Sequence, residues 1–173
     1  DVCSSDLILP HFDYCCHLWD NCTKQQATIL ENLQLDALRT ICGAVRGTSH
    51  DKLYKETNFV PLTKRRELKK LTLFYKMKNN LTSTYLSDMI PEHVSVSSSY
   101  NLRNDDSIRS IRCHIETYAR SFLPDTIRLW NNLPEGIKHS QSANSFKKGL
   151  LTDHINVIFN QNYRSEEHTS ELQ

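Results

Sequence analysis

Apolar residues return at helical spacing through residues 24–42, where Ala27, Leu30, Leu33, Ala37, Leu38 and Ile41 fall on one side of a 3.6-residue period. Thr23 followed by Gln26 makes a capping box and Gly43 supplies a left-handed stop, so one helix is predicted over 24–42. Ser49 can cap a shorter helix that runs to Asn58. Pro61 and Thr63 introduce a second strong helix over 64–79, with Leu68, Leu71 and Tyr75 on its apolar face and Asn79-Asn80 at its end. Residues 82–90 predict one more short helix before Pro91. Pro124 starts a helix that carries Ile127 and Trp130 and ends at Leu133-Pro134, and Ser142 caps a final helix with Phe146 and Leu150. Upstream, the aromatic stretch 8–19 reads as the end of a buried helix whose packing partner lies outside the segment.

The period changes after Pro91. Residues 93–107 are rich in Ser, Asn and Asp and predict a long loop. In 109–116, Ile111, Cys113 and Ile115 alternate as on one side of a strand, so a small β-hairpin or strand element is expected there. Four glycines supply few of the turns a large antiparallel sheet needs. The expected fold is therefore mainly α, organised as a helical segment 8–90, a loop 91–108 and a strand-helix segment 109–163, with no internal repeat.

The two ends read differently from the rest. Residues 164–173 resemble one translated frame of a common sequencing-library adapter, and residues 1–7 resemble the opposite strand of the same adapter, so both are set aside as artefacts. They carry Asp1, Asp6, Glu166, Glu167 and Glu171 against Arg164, and setting them aside takes the formal charge from +1 to +5. The natural chain is expected to continue in both directions. A mildly basic balance permits a polyanionic partner. Apolar residues at 38% and charged residues at 24%, with no long apolar run, argue against a membrane span. With no signal-peptide pattern, a reducing intracellular compartment is expected and the six cysteines read as thiols.

Positive charge is densest on the helix predicted at 64–79. Lys64, Arg65, Arg66, Lys69, Lys70, Lys76 and Lys78 are opposed there by Glu67 alone, and Arg65, Lys69 and Lys76 fall along one side. Such a surface neutralises phosphates without reading sequence. The candidate nucleic-acid-binding residues are Lys64, Arg65, Arg66, Lys69, Lys70 and Lys76, with Arg65 and Arg66 favoured for bidentate contact; the plainer alternative is a solvated helix face. Arg103, Arg109, Arg112 and Arg120 extend the surface. Cys15, Cys16, His17 and Cys22 have zinc-binding atoms but no Cys-x-x-Cys hook, so thiols packed beside Tyr14 and Trp19 are favoured. Cys113 and His114 are adjacent and would point to opposite faces of a strand, a poor nucleophile-base pair. Trp19 and Trp130 are expected in the core.

A series of landmarks runs collinearly through residues 8–158. It starts with Leu9-Pro10-His11-Phe12-Asp13-Tyr14 and Trp19, then Leu33-Gln34 with Ala37, Arg39 and Ile41, and Pro61-Leu62 with Arg65-Arg66. It continues through Tyr75-Lys76, Tyr85-Leu86, Tyr100 with Leu102-Arg103, Ser121-Phe122, Leu129-Trp130-Asn131-Asn132-Leu133-Pro134 and Ser145-Phe146-Lys147. In this order the segment resembles the region downstream of the polymerase core in jockey-like non-LTR (LINE) retrotransposon reverse transcriptases. At 173 residues it is too short for a whole polymerase.

The resemblance implies a fragment of a larger polymerase: a helical thumb-end and C-terminal region that follows the palm. It would help hold template RNA and nascent DNA during target-primed reverse transcription, in the cytoplasm and nucleus. Its implied partners are RNA, DNA and the upstream palm and thumb of the same chain. The parent enzyme would use divalent metal, Mg, held by carboxylates upstream, and this fragment is expected to hold no catalytic residue and no cofactor of its own. Asp105-Asp106 has Arg103 where the reverse-transcriptase signature has an aromatic residue, so the pair is read as part of the loop. Two alternatives are a structural or protein-interaction domain without nucleic-acid binding, and a translated decayed element. With its first aromatic helix lacking a partner, the segment is expected to fold poorly on its own.

Overall fold

Thr23 closes the start of the first long helix from both sides. Its hydroxyl accepts from the Gln26 backbone N–H at 3.3 Å, while Gln26 Oε1 accepts from the Thr23 backbone N–H at 3.0 Å. The computed structural model describes residues 10–94 and 107–152. Residues 10–13 are helical, and after them come α1 (Cys16–Trp19), α2 (Lys24–Cys42), α3 (His50–Thr57), α4 (Leu62–Lys78) and α5 (Thr84–Ser87). Beyond the second described boundary follow α6 (Glu116–Ala119), α7 (Phe122–Asn131), α8 (Glu135–Lys138) and helical residues 143–152, here α9.

Local chemistry accounts for most of these limits. Gly43 ends α2 at φ 61°, a left-handed turn in which its N–H reaches back to Arg39 and Thr40. Asn58 ends α3 in the left-handed region at φ 58°. Helix α4 starts two residues before the sequence expectation, because Pro61 is its N-cap and the Pro61 carbonyl accepts from the Arg65 N–H at 2.9 Å. Helix α7 likewise starts at Phe122, with Pro124 inside the first turn, where the missing N–H has no helical partner to lose. The N–H of Ser145 donates to the Ser142 hydroxyl at 3.1 Å, which caps α9. The short helix expected over 82–90 is reduced to Thr84–Ser87.

Helix α4 is the hub: α1, α2, α5 and α7 all pack on it, and α2 also packs on α3. The main core joins Leu68, Leu71, Phe74 and Tyr75 of α4 to Ile108, to Ile127 and Trp130 of α7, and to Phe146 and Leu150 of α9. Trp130 is the largest fully buried side chain. Its ring lies 5.3 Å from Phe74 and 5.6 Å from Phe146, and Tyr75 stacks on Phe146 at 4.5 Å. The core thus draws on both sides of the segment 91–108. Helix α2 is tied in by Gln34, which donates to the Val60 carbonyl at 3.1 Å, and by Glu31, which accepts from the Tyr54 hydroxyl of α3.

The expected β-hairpin or strand near 109–116 is not formed. Among the described residues there is no strand, and one antiparallel bridge pairs His93 with Ile108. The single bridge is made at Ile108, whose N–H and carbonyl on the other side are held by Asn131 at 3.0 and 2.9 Å. Among the described residues, the stretch from Ile111 to Ile115 meets no neighbouring backbone before the helix that starts at Glu116. The aromatic N-terminal stretch also differs from one buried helix. Cys15 breaks it at φ 46°, Cys16 is buried, and Tyr14 and Leu18 face solvent. The adapter-like ends and Asp105-Asp106 lie outside the described residues.

Because α1 packs on α4, the N-terminal stretch has a partner within the chain. Cooperative thermal unfolding of the chain is therefore expected, where the sequence alone suggested poor folding. Trp130→Ala is expected to lower stability by about 3–5 kcal/mol. Thermal melts and urea unfolding followed by circular dichroism check these in turn; a broad, non-cooperative wild-type melt would refute the first, and a loss below about 1 kcal/mol the second.

Candidate nucleic-acid interface

Helix α4 carries its cations in two environments. Arg66 and Lys70, one turn apart, have side chains only 4% exposed. Arg66 Nε donates to Asp20 Oδ1, and its guanidinium carbon lies 5.6 Å from the centre of the Trp19 ring. Lys70 Nζ is shared between Asp20 and Asp125, with Asp125 Oδ2 at 2.6 Å. The other oxygen of Asp125 accepts from Arg128 at 2.6 Å. Asp20 follows α1 and Asp125 belongs to α7, so three elements meet on this pair of cations.

The remaining cations are nearer water. Arg65 grips Asp13 with both arms at 2.6 Å, and Lys69 reaches the same carboxylate at 3.2 Å. Lys64 pairs with Glu67 at 3.0 Å along the helix, and Lys76 is exposed. Of the six sequence candidates, Arg66 and Lys70 are thus turned inward. Lys64, Arg65, Lys69 and Lys76 keep a solvent-facing part, with Arg65, Lys69 and Lys76 on one side of α4. Arg120 and Arg128 border Arg66 and Lys70 in a cleft, whereas Arg109 and Arg112 line a separate hollow of about 580 Å³ beside Pro91; Arg103 lies outside the described residues.

Ionisation follows from these contacts. Burial alone would push the Asp125 carboxyl up, but hydrogen bonds and charge from Lys70 and Arg128 outweigh it and hold it below the usual carboxylate value. Asp13 is held down in the same way, against its burial, by Arg65 and Lys69. Burial opposes the charge on Lys70, yet its bonds to Asp125 and Asp20 raise its affinity for the proton. Burial pushes the Cys16 thiol up, away from thiolate chemistry.

The five described cysteines are free thiols. Among the described residues no group of three or more His, Cys, Asp or Glu side chains is arranged to hold a metal ion, and no helix is long and apolar enough to cross a membrane. Trp130 lies in the core, whereas Trp19 is half-buried and donates its indole N–H to the Tyr14 carbonyl at 2.9 Å.

No known protein family, curated protein or solved structure matches the chain.

Sequence reasoning missed Asp13, Asp20 and Asp125 because it weighed α4 against Glu67 alone. A signal was present. Two aspartates within an aromatic stretch that packs as a core element need cationic partners, and α4 had a surplus.

Asp13 and Asp125 are both held below their ordinary values, so the stability they contribute is present above about pH 4 and is lost as pH falls through their lowered values. Asp125→Asn leaves Lys70 with Asp20 alone and is expected to cost at least about 1.5 kcal/mol at neutral pH. It should also make the acid limb shallower. Urea midpoints measured from pH 7 down to about pH 2 check this; an unchanged midpoint at pH 7 would show that the ion pair contributes nothing.

Proposed function

We propose that this chain is a noncatalytic piece of an RNA-directed DNA polymerase from a jockey-like mobile element, and that it contacts the phosphates of template RNA and DNA. The observation that carries the binding part is the row Arg65, Lys69 and Lys76. On an ideal helix these residues fall within about 40° of one another and span roughly 16 Å. Asp13 lies beneath Arg65 and Lys69 and fixes both while partly offsetting their charge. A row of cations, two of them held in place, suits a polynucleotide backbone, which it would hold without regard to base sequence. The parentage rests on the collinear landmarks. Trp130 and Phe146 supply the core and Asn131 brackets Ile108, so those landmarks coincide with residues that hold the fold. Divalent metal would belong to the upstream palm, and the setting would be cytoplasmic and nuclear.

A second reading has its own observation. Helix α2 exposes Ile29, Leu33 and Ile41, and Val45 beyond it is 79% exposed. Such a stripe favours a protein-interaction role, with the missing thumb or another protein covering it.

Titrating labelled single-stranded RNA between about 50 and about 200 mM salt separates the readings. For phosphate binding, log K falls linearly with log salt, by about 0.7 per phosphate contacted, and the double variant Lys69→Gln, Lys76→Gln flattens the slope by about 1.4. Weak binding that ignores salt would leave the protein-interaction reading. Parentage is tested at the source locus, sequenced outward from both ends. An upstream open frame encoding an aromatic-x-Asp-Asp palm is expected, and a gene that begins near residue 8 with no palm would refute it.

A further inference from the structure

Asp13 meets Arg65 in the geometry a phosphate would use. Nε and Nη2, the guanidinium edge that pairs with two oxygens at once, donate to Asp13 Oδ1 and Oδ2, each at 2.6 Å. Lys69 Nζ comes to 3.2 Å from Oδ2. The carboxylate therefore fills the seat that the two free oxygens of a phosphodiester would take on this pair of cations. The seat lies at the surface. The Arg65 and Lys69 side chains are 29% and 44% exposed, against 4% for Arg66 and Lys70.

That difference decides which aspartate of the N-terminal stretch can leave its partners. Asp20 is bonded to Arg66 and Lys70, and its departure would take a carboxylate from two buried cations. When Asp13 turns away, Arg65 and Lys69 meet water and salt instead, so its loss costs far less. The backbone beside it need not follow. The Tyr14 N–H donates to the Pro10 carbonyl at 2.9 Å, and the Tyr14 carbonyl accepts from the Trp19 indole at 2.9 Å. Only the Asp13 side chain has to move.

We propose that Asp13 is an intramolecular stand-in for a backbone phosphate, and that the row on α4 holds a polynucleotide tightly only when a phosphate takes its place. A tethered carboxylate competes at high effective concentration with every incoming phosphate. Two cations against one carboxylate leave one net positive charge at the seat, and two when that carboxylate is neutral. That the incoming phosphate belongs to a polynucleotide rests on the function proposed above; the occupied seat does not.

The test uses the full chain with two probes, single-stranded RNA and inorganic polyphosphate. Asp13→Asn keeps the shape and one acceptor for Arg65. It is expected to tighten both probes about fivefold near 100 mM salt and to steepen the salt slope by about 0.7, one more counterion released. Adding Arg65→Gln and Lys69→Gln to that variant removes the gain. Asp36→Asn, on the exposed side of α2, deletes the same charge elsewhere and is expected to change affinity by less than about twofold. A second measurement needs no variant. The Asp13 carboxyl, held below the ordinary carboxylate value in the free chain, is followed by carbon-detected nuclear magnetic resonance and is expected to titrate at or above that value with polyphosphate bound.

If wild type binds RNA with steep salt dependence and Asp13→Asn binds it no tighter, the stand-in is refuted and the function stands. Equal tightening by Asp36→Asn, or an Asp13 carboxyl that keeps its lowered value with ligand bound, refutes it as well. If Asp13→Asn tightens polyphosphate while neither protein binds RNA, the stand-in holds and the nucleic-acid function fails. Binding of neither probe to either protein overturns both.

Discussion

Arg66 and Lys70 place two positive charges one turn apart on α4, almost wholly out of water. A buried charge is tolerable only with partners close by, and here the partners come from both sides. Asp20, just after α1, serves both cations, and Asp125, in the first turn of α7, serves Lys70. These contacts fix where the N-terminal stretch and α7 lie along α4. Trp19 can lie over Arg66 only because Asp20 is held there, and the next turns of α4 carry Leu71, Phe74 and Tyr75 into the apolar core. The hub helix thus has a charge-locked first half and an apolar second half.

The helices were legible where their cause is local. Thr23, Gln26 and Gly43 delimit α2 within a few residues of sequence, and the period of Leu68, Leu71 and Tyr75 marks the buried side of α4. What was not legible is what depends on distant partners. Asp13 meets Arg65 across 52 positions, Asp20 meets Arg66 across 46, and Lys70 meets Asp125 across 55. A run of cations reads the same whether it faces water or carboxylates on another element. The strand expectation failed for the same reason. Alternation at Ile111, Cys113 and Ile115 describes side chains, but a strand needs a neighbour's backbone, and the one bridge among the described residues forms before that stretch, at Ile108.

For the candidate site, the acids sort cations that looked equivalent. Those most tightly held, Arg66 and Lys70, cannot swing out to meet a polyanion without breaking the ion pairs to Asp20 and Asp125 that make their burial tolerable. Arg65 and Lys69 are tied to Asp13 but keep more of their side chains in water, and Lys76 is exposed. The row on α4 is therefore what a ligand would meet, while Arg66 and Lys70 serve the packing of α1 and α7 on the same helix.

The charge network also bears on why this arrangement is specific. Apolar side chains of the same volume could join α1, α4 and α7 at a lower cost in desolvation, so the network is a poor device for stability alone. It differs from an apolar contact in what it refuses. An aliphatic interface tolerates sliding and repacking with modest loss. Shifting α4 by one turn against Asp20 and Asp125 would carry one of the two buried cations away from its carboxylate. The four groups therefore penalise the neighbouring registers of α4, in the same arrangement that sets Phe74 5.3 Å from Trp130.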